Sequence, residues 1–196
     1  MPETITLKKS ELDTFLREIK HAKICAIGDV CLDCYLFADM KLSELSRETP
    51  HFPLPIVKEV FSLGGGGNLL DNINALGIEK LVTVAVIGQD WRGDVFLRLL
   101  EERKIDTSHI IKSRVATTNA YCKPMRMGIS DVIYEDPRLD FENRRPLSKK
   151  DEDAVLDALN DTARNVDVIA VADQLKFGIV TEKIRERLSE IGKMLP

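Results

Sequence analysis

The run Leu63-Gly64-Gly65-Gly66-Gly67-Asn68 constrains this chain more than any other stretch, because four successive glycines allow a turn that side chains would block. Backbone exposed in such a turn can touch a ligand directly. Apolar Val60, Phe61 and Leu63 run straight into the glycines, whereas a flexible linker would be polar on both sides. Downstream, Leu69, Leu70, Ile73 and Leu76 recur at helical spacing, and Gly77 falls where a helix would stop. Residues 64–68 are therefore expected to open a helix N-terminus whose free N–H groups suit an anion or sugar hydroxyls.

Two common phosphate loops are excluded by spacing. A nucleotide P-loop needs Lys and then Ser or Thr after its last glycine, and Asn68 and Leu69 stand there instead. The dinucleotide fingerprint finds its first two glycines in Gly64 and Gly66, but Leu69 occupies the third position, where close helix–strand packing needs glycine. A nicotinamide-dependent oxidoreductase is correspondingly disfavoured.

With 196 residues, 44% hydrophobic and 31% charged, the chain can build one globular domain with a real core. A net charge of −4 and no basic tail would repel a phosphate backbone, so no nucleic acid partner is expected. The longest apolar run, residues 81–87, cannot span a bilayer, and Met1-Pro2-Glu3-Thr4 lacks the basic start of a signal peptide. No membrane association and a cytoplasmic location are the expectations. Cys25, Cys31, Cys34 and Cys122 should then be free, buried thiols. Cys31 and Cys34 have the spacing of a metal or redox pair, but His21, His51 and His109 are scattered singly, so no metal site is expected from these residues.

In chain order, residues 7–22 read as an amphipathic surface helix with Leu7, Leu12, Phe15, Leu16 and Ile19 on its packing face. Residues 23–30 read as a strand ending at Gly28-Asp29, with Asp33 just beyond, the end of a strand at which open α/β sheets hold ligands. Pro50, Pro53 and Pro55 separate two short β segments, which suggests a small β excursion outside the main sheet. A helix over 68–76, a strand over 81–87 and a helix over 91–104 follow, a β-α-β-α rhythm that implies a parallel sheet. Residues 117–127 and 132–134 read as a hairpin, and the two β-rich segments together as a lid. Ser148 starts a further helix towards Ala163, Val168 to Val171 read as a buried strand ending at Asp173, and residues 179–191 as a closing helix.

Several of these stretches resemble the PfkB (ribokinase-like) carbohydrate kinase family, most closely its heptose-7-phosphate kinase branch. Gly28-Asp29-Val30-Cys31-Leu32-Asp33 is similar to the family's first strand and sugar-binding aspartate, and Gly64 to Asn68 with Asn72 and Gly77 to its first signature. Pro53-Leu54-Pro55-Ile56-Val57 and Arg138-Leu139-Asp140-Phe141-Glu142 are similar to further stretches of that branch. The fold implied is a ribokinase-like α/β parallel sheet flanked by helices, a single domain over 1–196 with lid segments near 34–61 and 117–134. The activity implied is ATP-dependent phosphoryl transfer to a sugar or sugar phosphate, with ATP and Mg²⁺ as cofactors.

By the same resemblance Asp33 and Asn68 would hydrogen-bond sugar hydroxyls, Gly64 and Gly65 would form the hinge under the lid and, with Gly66, belong to the substrate-binding site, and residues near Tyr35 and Tyr121 would supply the lid itself. Asp173-Gln174-Leu175-Lys176-Phe177-Gly178 is similar to an Asp-Tyr-x-Lys-Gly stretch, which would place Asp173 and Lys176 on the phosphate side. It departs from that pattern at Gln174 and in the intervening Phe177. No Gly-x-Gly-Asp occurs anywhere in the 196 residues, so the nucleotide half with its catalytic base is expected to be missing. Two readings follow: the acceptor-binding portion of a sugar kinase, or a non-catalytic sugar-binding or dimerisation module on this fold, with a homodimer through the β lid.

Overall fold

The computed structural model describes residues 8–193. Its centre is a four-stranded sheet in the order β5-β4-β1-β9, formed by β1 (Lys23–Gly28), β4 (Lys80–Gly88), β5 (Asp106–Ser113) and β9 (Val168–Ala172), all parallel. Alternation along the two inner strands sorts side chains to opposite faces. Ile24, Ala26, Leu81, Ala85 and Ile87 meet Leu70 and Ile73 of α2 (Gly66–Ala75) and Phe96, Leu99 and Leu100 of α3 (Trp91–Glu102). Cys25, Ile27, Val84 and Val86 meet Val155 and Leu159 of α4 (Lys149–Thr162) and Ile184 and Ile191 of α5 (Glu182–Gly192). The result is a helix–sheet–helix sandwich.

A second sheet lies beyond α2 and α3, in the order β3-β2-β6-β7 with β8 also on β6. It comprises β2 (Val30–Asp39), β3 (Ile56–Gly65), β6 (Ala120–Met127), β7 (Tyr134–Glu135) and β8 (Leu139–Phe141). β2 pairs antiparallel with β3 and parallel with β6, so the two excursions from the main sheet are joined by backbone hydrogen bonds. One face, carrying Leu32, Cys34, Leu63, Ala120 and Cys122, closes over the first core cluster. The opposite face carries Asp33 and Tyr35, directly across from Tyr121 and Lys123.

Capping sets the helix starts. Asp90, Ser148 and Thr181 each accept a backbone N–H of the first turn that follows, and these three bonds fix α3, α4 and α5. The Thr181 cap makes the last helix begin at Glu182, three residues later than the apolar pattern from Ile179 suggests. The four cysteines are free and buried, as their types implied. No helix of the described residues is long and apolar enough to cross a membrane.

Three expectations are corrected. β5 is absent from the sequence reading, because its pattern of mixed Asp, Thr, Ser, His and Lys hides a strand at the edge of the sheet. β9 is not buried: it forms the other edge, and Val168 and Val171 are nearly half exposed. α1 (Lys9–Glu18) exists, but it buries none of its residues, and Leu12, Phe15 and Leu16 face solvent where a packing face was expected. Leu7 lies outside the described residues.

Candidate functional site

The glycine run divides in two. Gly64 and Gly65 end strand β3, and α2 starts at Gly66, two residues before the expected helix. Gly65 has φ +56°, a conformation that side chains resist, and it turns the chain from strand into helix. Gly64 lies within the second sheet, paired with β2: a Cβ there would stand 2.8 Å from Asp33 Oδ2. The free helix N-terminus predicted from residues 64–68 is not open at its first N–H, because Gly66 N donates to the Asp29 carbonyl at 2.7 Å. Asn68 is exposed on the first turn of α2 and lines none of the cavities described below.

Asp33 is held on the exposed-face side of β2 and forms an ion pair with Lys123 at 3.3 Å, both side chains about five-sixths buried at 17% exposure. Lys123 Nζ also donates to Tyr35 Oη at 3.1 Å and sits 4.6 Å from the Tyr35 ring centre. Burial pulls the Lys123 pKa down, but the hydrogen bond to Tyr35 and the charge of Asp33 outweigh it and hold the ammonium above its usual range. Arg138 donates to Asp140 through two nitrogens, at 2.5 and 2.8 Å, and lies 4.2 Å from the Tyr121 ring centre. Burial and the hydrogen bond to Glu142 push the Tyr121 phenol up to about 12, so it remains a neutral donor.

Asp33, Tyr121, Lys123 and Arg138 line one cavity of about 270 Å³, together with Asp29, Cys31, Gly65, Gln174 and Leu175. Burial raises the Cys31 thiol to about 12, so it offers a neutral wall and not a nucleophile. Lys176 lies in an adjoining cavity of about 340 Å³ that shares Tyr121, Gln174 and Leu175 with the first. Asp173 turns away from both and pairs with Arg185 of α5 at 2.6 Å. Of the residues singled out in the sequence, Asp33 and Gly65 line one cavity, Gly64 packs against the Asp33 carboxylate, Gly66 follows Gly65 outside the lining and Lys176 lines the adjoining cavity. Lys123 escaped notice because its partner in space, Tyr35, is 88 residues away in sequence, and parallel register between distant strands leaves no local signal.

A carboxylate beside an ammonium and a guanidinium, in a cavity of this size, can hydrogen-bond a polyol while tolerating a negative group. No group of three His, Cys, Asp or Glu side chains among the described residues could hold an ion. Three backbone donors at or next to this cavity, Gly66 N, Gln174 N and Leu175 N, are engaged by Asp29.

No family model matches the chain. Curated relatives named "Bifunctional protein HldE" do: that of Syntrophotalea carbinolica is 28% identical over 95% of this chain and 36% of its own length. That of Sulfurimonas denitrificans is 31% identical over 83% of this chain and 32% of its own. The chain thus spans about a third of these relatives. Among solved structures, Escherichia coli phosphofructokinase-2 in complex with fructose-6-phosphate superposes with a TM-score of 0.59 at 16% identity, over 88% of this chain and 52% of that one. Arabidopsis thaliana ribokinase complexed with ribose and ATP gives 0.58 at 11% identity, over 90% and 52%. At these identities the structures establish a shared fold, with this chain covering about half of it.

Proposed function

We propose that this chain, a relative of the HldE proteins with the fold of the ribokinase-like PfkB carbohydrate kinases, forms the acceptor-binding portion of an ATP-dependent sugar or sugar-phosphate kinase. The observation that carries the reading is the Asp33–Lys123 pair facing Arg138 and Tyr121 in one cavity beside the Gly64-Gly65 turn. Asp33 accepts from sugar hydroxyls, and the Gly64-Gly65 backbone lets the ring approach. Lys123 and Arg138 meet a negative group on the acceptor. The chain's own residues bind and orient the acceptor and shelter it from water under the second sheet.

ATP is the phosphoryl donor by kinship. No step is assigned to ATP or Mg²⁺ on these residues. Asn68, Asp173 and Lys176 are proposed at the margin: Asn68 for a hydroxyl reached after a small rotation of α2, and Lys176 for phosphate in the adjoining cavity. Asp173 would first have to leave Arg185. A homodimer through the open face of the second sheet is part of the same reading, supported by Ile56, Val57 and Val60 standing exposed on its edge strand β3.

Calorimetric titration with fructose 6-phosphate, ribose 5-phosphate and the unphosphorylated sugars tests the reading. Asp33→Ala should weaken the binding of whichever sugar the chain takes, by the loss of a buried charged hydrogen bond worth about 1.5–3 kcal/mol. Unchanged affinity in a folded Asp33→Ala protein refutes it. A second reading, a sugar-binding or dimerisation module without catalysis, is favoured by one observation, the apolar edge strand β3 with Ile56, Val57 and Val60 open to pairing.

A further inference from the structure

Asp29 is 2% exposed at the inner wall of the cavity, and its carboxylate is held by backbone N–H groups and by no cation among the described residues. It accepts three backbone N–H groups: Gln174 N at 2.9 Å and Leu175 N at 2.8 Å on Oδ2, and Ile179 N at 2.8 Å on Oδ1. Its own backbone N donates to Ala172 O at 2.8 Å, and its carbonyl accepts from Gly66 N at 2.7 Å. One residue therefore ties together the end of β9, the start of α2 and the 174–179 turn, the three segments that surround the entrance to β2. Gly178 is moulded to this arrangement, since a Cβ there would fall 2.2 Å from Oδ1.

We propose that Asp29 is a positioning residue: its carboxylate fills an anion cradle made by the 174–179 turn and so fixes Gln174 and Leu175 as a wall of the acceptor cavity. The inference rests on the acceptor reading above for the purpose of the wall, but not for the clamp itself. Burying a carboxylate costs several kcal/mol, which three charge-assisted N–H bonds offset without making it a cheap route to stability. What the charge secures is a defined turn. A residue without the carboxylate would leave three buried donors unpaired and the turn free to adopt other conformations.

Amide hydrogen exchange on the chain, followed residue by residue, tests the clamp without any ligand. In Asp29→Ala the amides of Gln174, Leu175 and Ile179 should exchange about ten- to a hundredfold faster, the loss expected for a charged acceptor, while Val155 and Leu159 in α4 stay protected. Sodium formate should restore protection by refilling the cradle, and sodium chloride at equal ionic strength should not. Asp29→Asn, which keeps the volume but turns an NH₂ towards donors, should lie between, and Gly178→Ala should expose the same three amides with Asp29 intact. Unchanged exchange of the turn, or acceleration of α4 to the same extent, overturns the clamp. Calorimetry with fructose 6-phosphate on the same proteins separates the two inferences. Equal affinity in wild type and Asp29→Ala overturns the role of the wall, whereas binding by neither protein sinks the acceptor reading and leaves the clamp to be decided by exchange.

Discussion

Asp90 shows how single side chains hold the site's frame. Its Oδ1 caps α3 by accepting Gly93 N at 3.0 Å, and its Oδ2 accepts Thr118 N at 2.9 Å, which pins the segment leading into β6. Burial pulls the Asp90 pKa up, but the Thr118 and Gly93 N–H bonds and the Arg92 charge outweigh it and hold the carboxyl below its usual value. A lowered folded pKa means the stabilisation is fully present above the unfolded carboxylate pKa, near 3.9, and is lost as pH falls through the lower folded value. Asp90→Ala should cost about 1–2 kcal/mol at pH 7, the range for removing a helix cap. In thermal melts the gap between wild type and variant should narrow below about pH 4, where the wild-type carboxyl itself takes up a proton. A gap that stays constant from pH 7 to pH 3 would contradict the assignment. Lys123 makes a sharper residue-level case for function. Lys123→Met keeps most of the stem's packing but removes the charge, and it should weaken binding of a phosphorylated sugar more than of its unphosphorylated form in paired titrations.

Among the elements, the junction of β3 and α2 carries the strictest requirement. Gly65 combines φ +56° with ψ −126°, and an added Cβ would lie 3.1 Å from the Asp29 carbonyl. Gly65→Ala should therefore cost about 1–3 kcal/mol, measurable by denaturant unfolding, and it should loosen the approach of β3 to Asp33. Much of this junction was legible from the chain: four glycines after an apolar run specify a turn into a helix, and Asp33 stands a few residues past the end of a strand. Register was not legible. The glycine run predicts free N–H groups, but Asp29, 37 residues upstream of Gly66, occupies the first of them through its own carbonyl. β5 and the exposure of β9 were missed for a related reason. Strand patterns encode burial on two faces, and an edge strand with one bare side carries polar residues or exposed valines that periodicity cannot place. Asp173 is a third case, since the helix that captures its carboxylate, through Arg185, is a neighbour in space set by the turn at residues 174–179.

At the scale of the whole molecule, the bare β9 edge and the unpacked face of α1 put Val168, Val171, Leu12, Phe15 and Leu16 in water. An exposed apolar strand edge is a template for pairing, so the 196-residue chain should associate as its concentration rises. Sedimentation velocity over a concentration series should show it, and the double variant Val168→Lys, Val171→Lys should suppress it if β9 is the contact. A monomer at all concentrations would exclude that contact.

The acceptor cavity also predicts what these 196 residues will not do by themselves. Phosphoryl transfer depends on aligning donor and acceptor and on neutralising charge at the transferred group, with little covalent work left for the protein. On the proposed reading, one side of that alignment would come from Asp33, Lys123 and Arg138, which line a single cavity. The other side needs backbone donors and a proton acceptor at the transferred phosphate, and here Gln174 N and Leu175 N are engaged by Asp29 and the Asp173 carboxylate by Arg185. A proton acceptor alone would meet only one of the requirements. The purified chain should therefore bind a sugar or sugar phosphate without turning it over. A coupled ADP-release assay with Mg²⁺, screened across the same sugars used in calorimetry, should stay at background. Sugar-dependent turnover at ordinary kinase rates, on the order of 1–100 per second, would show that a donor site assembles on these residues after all.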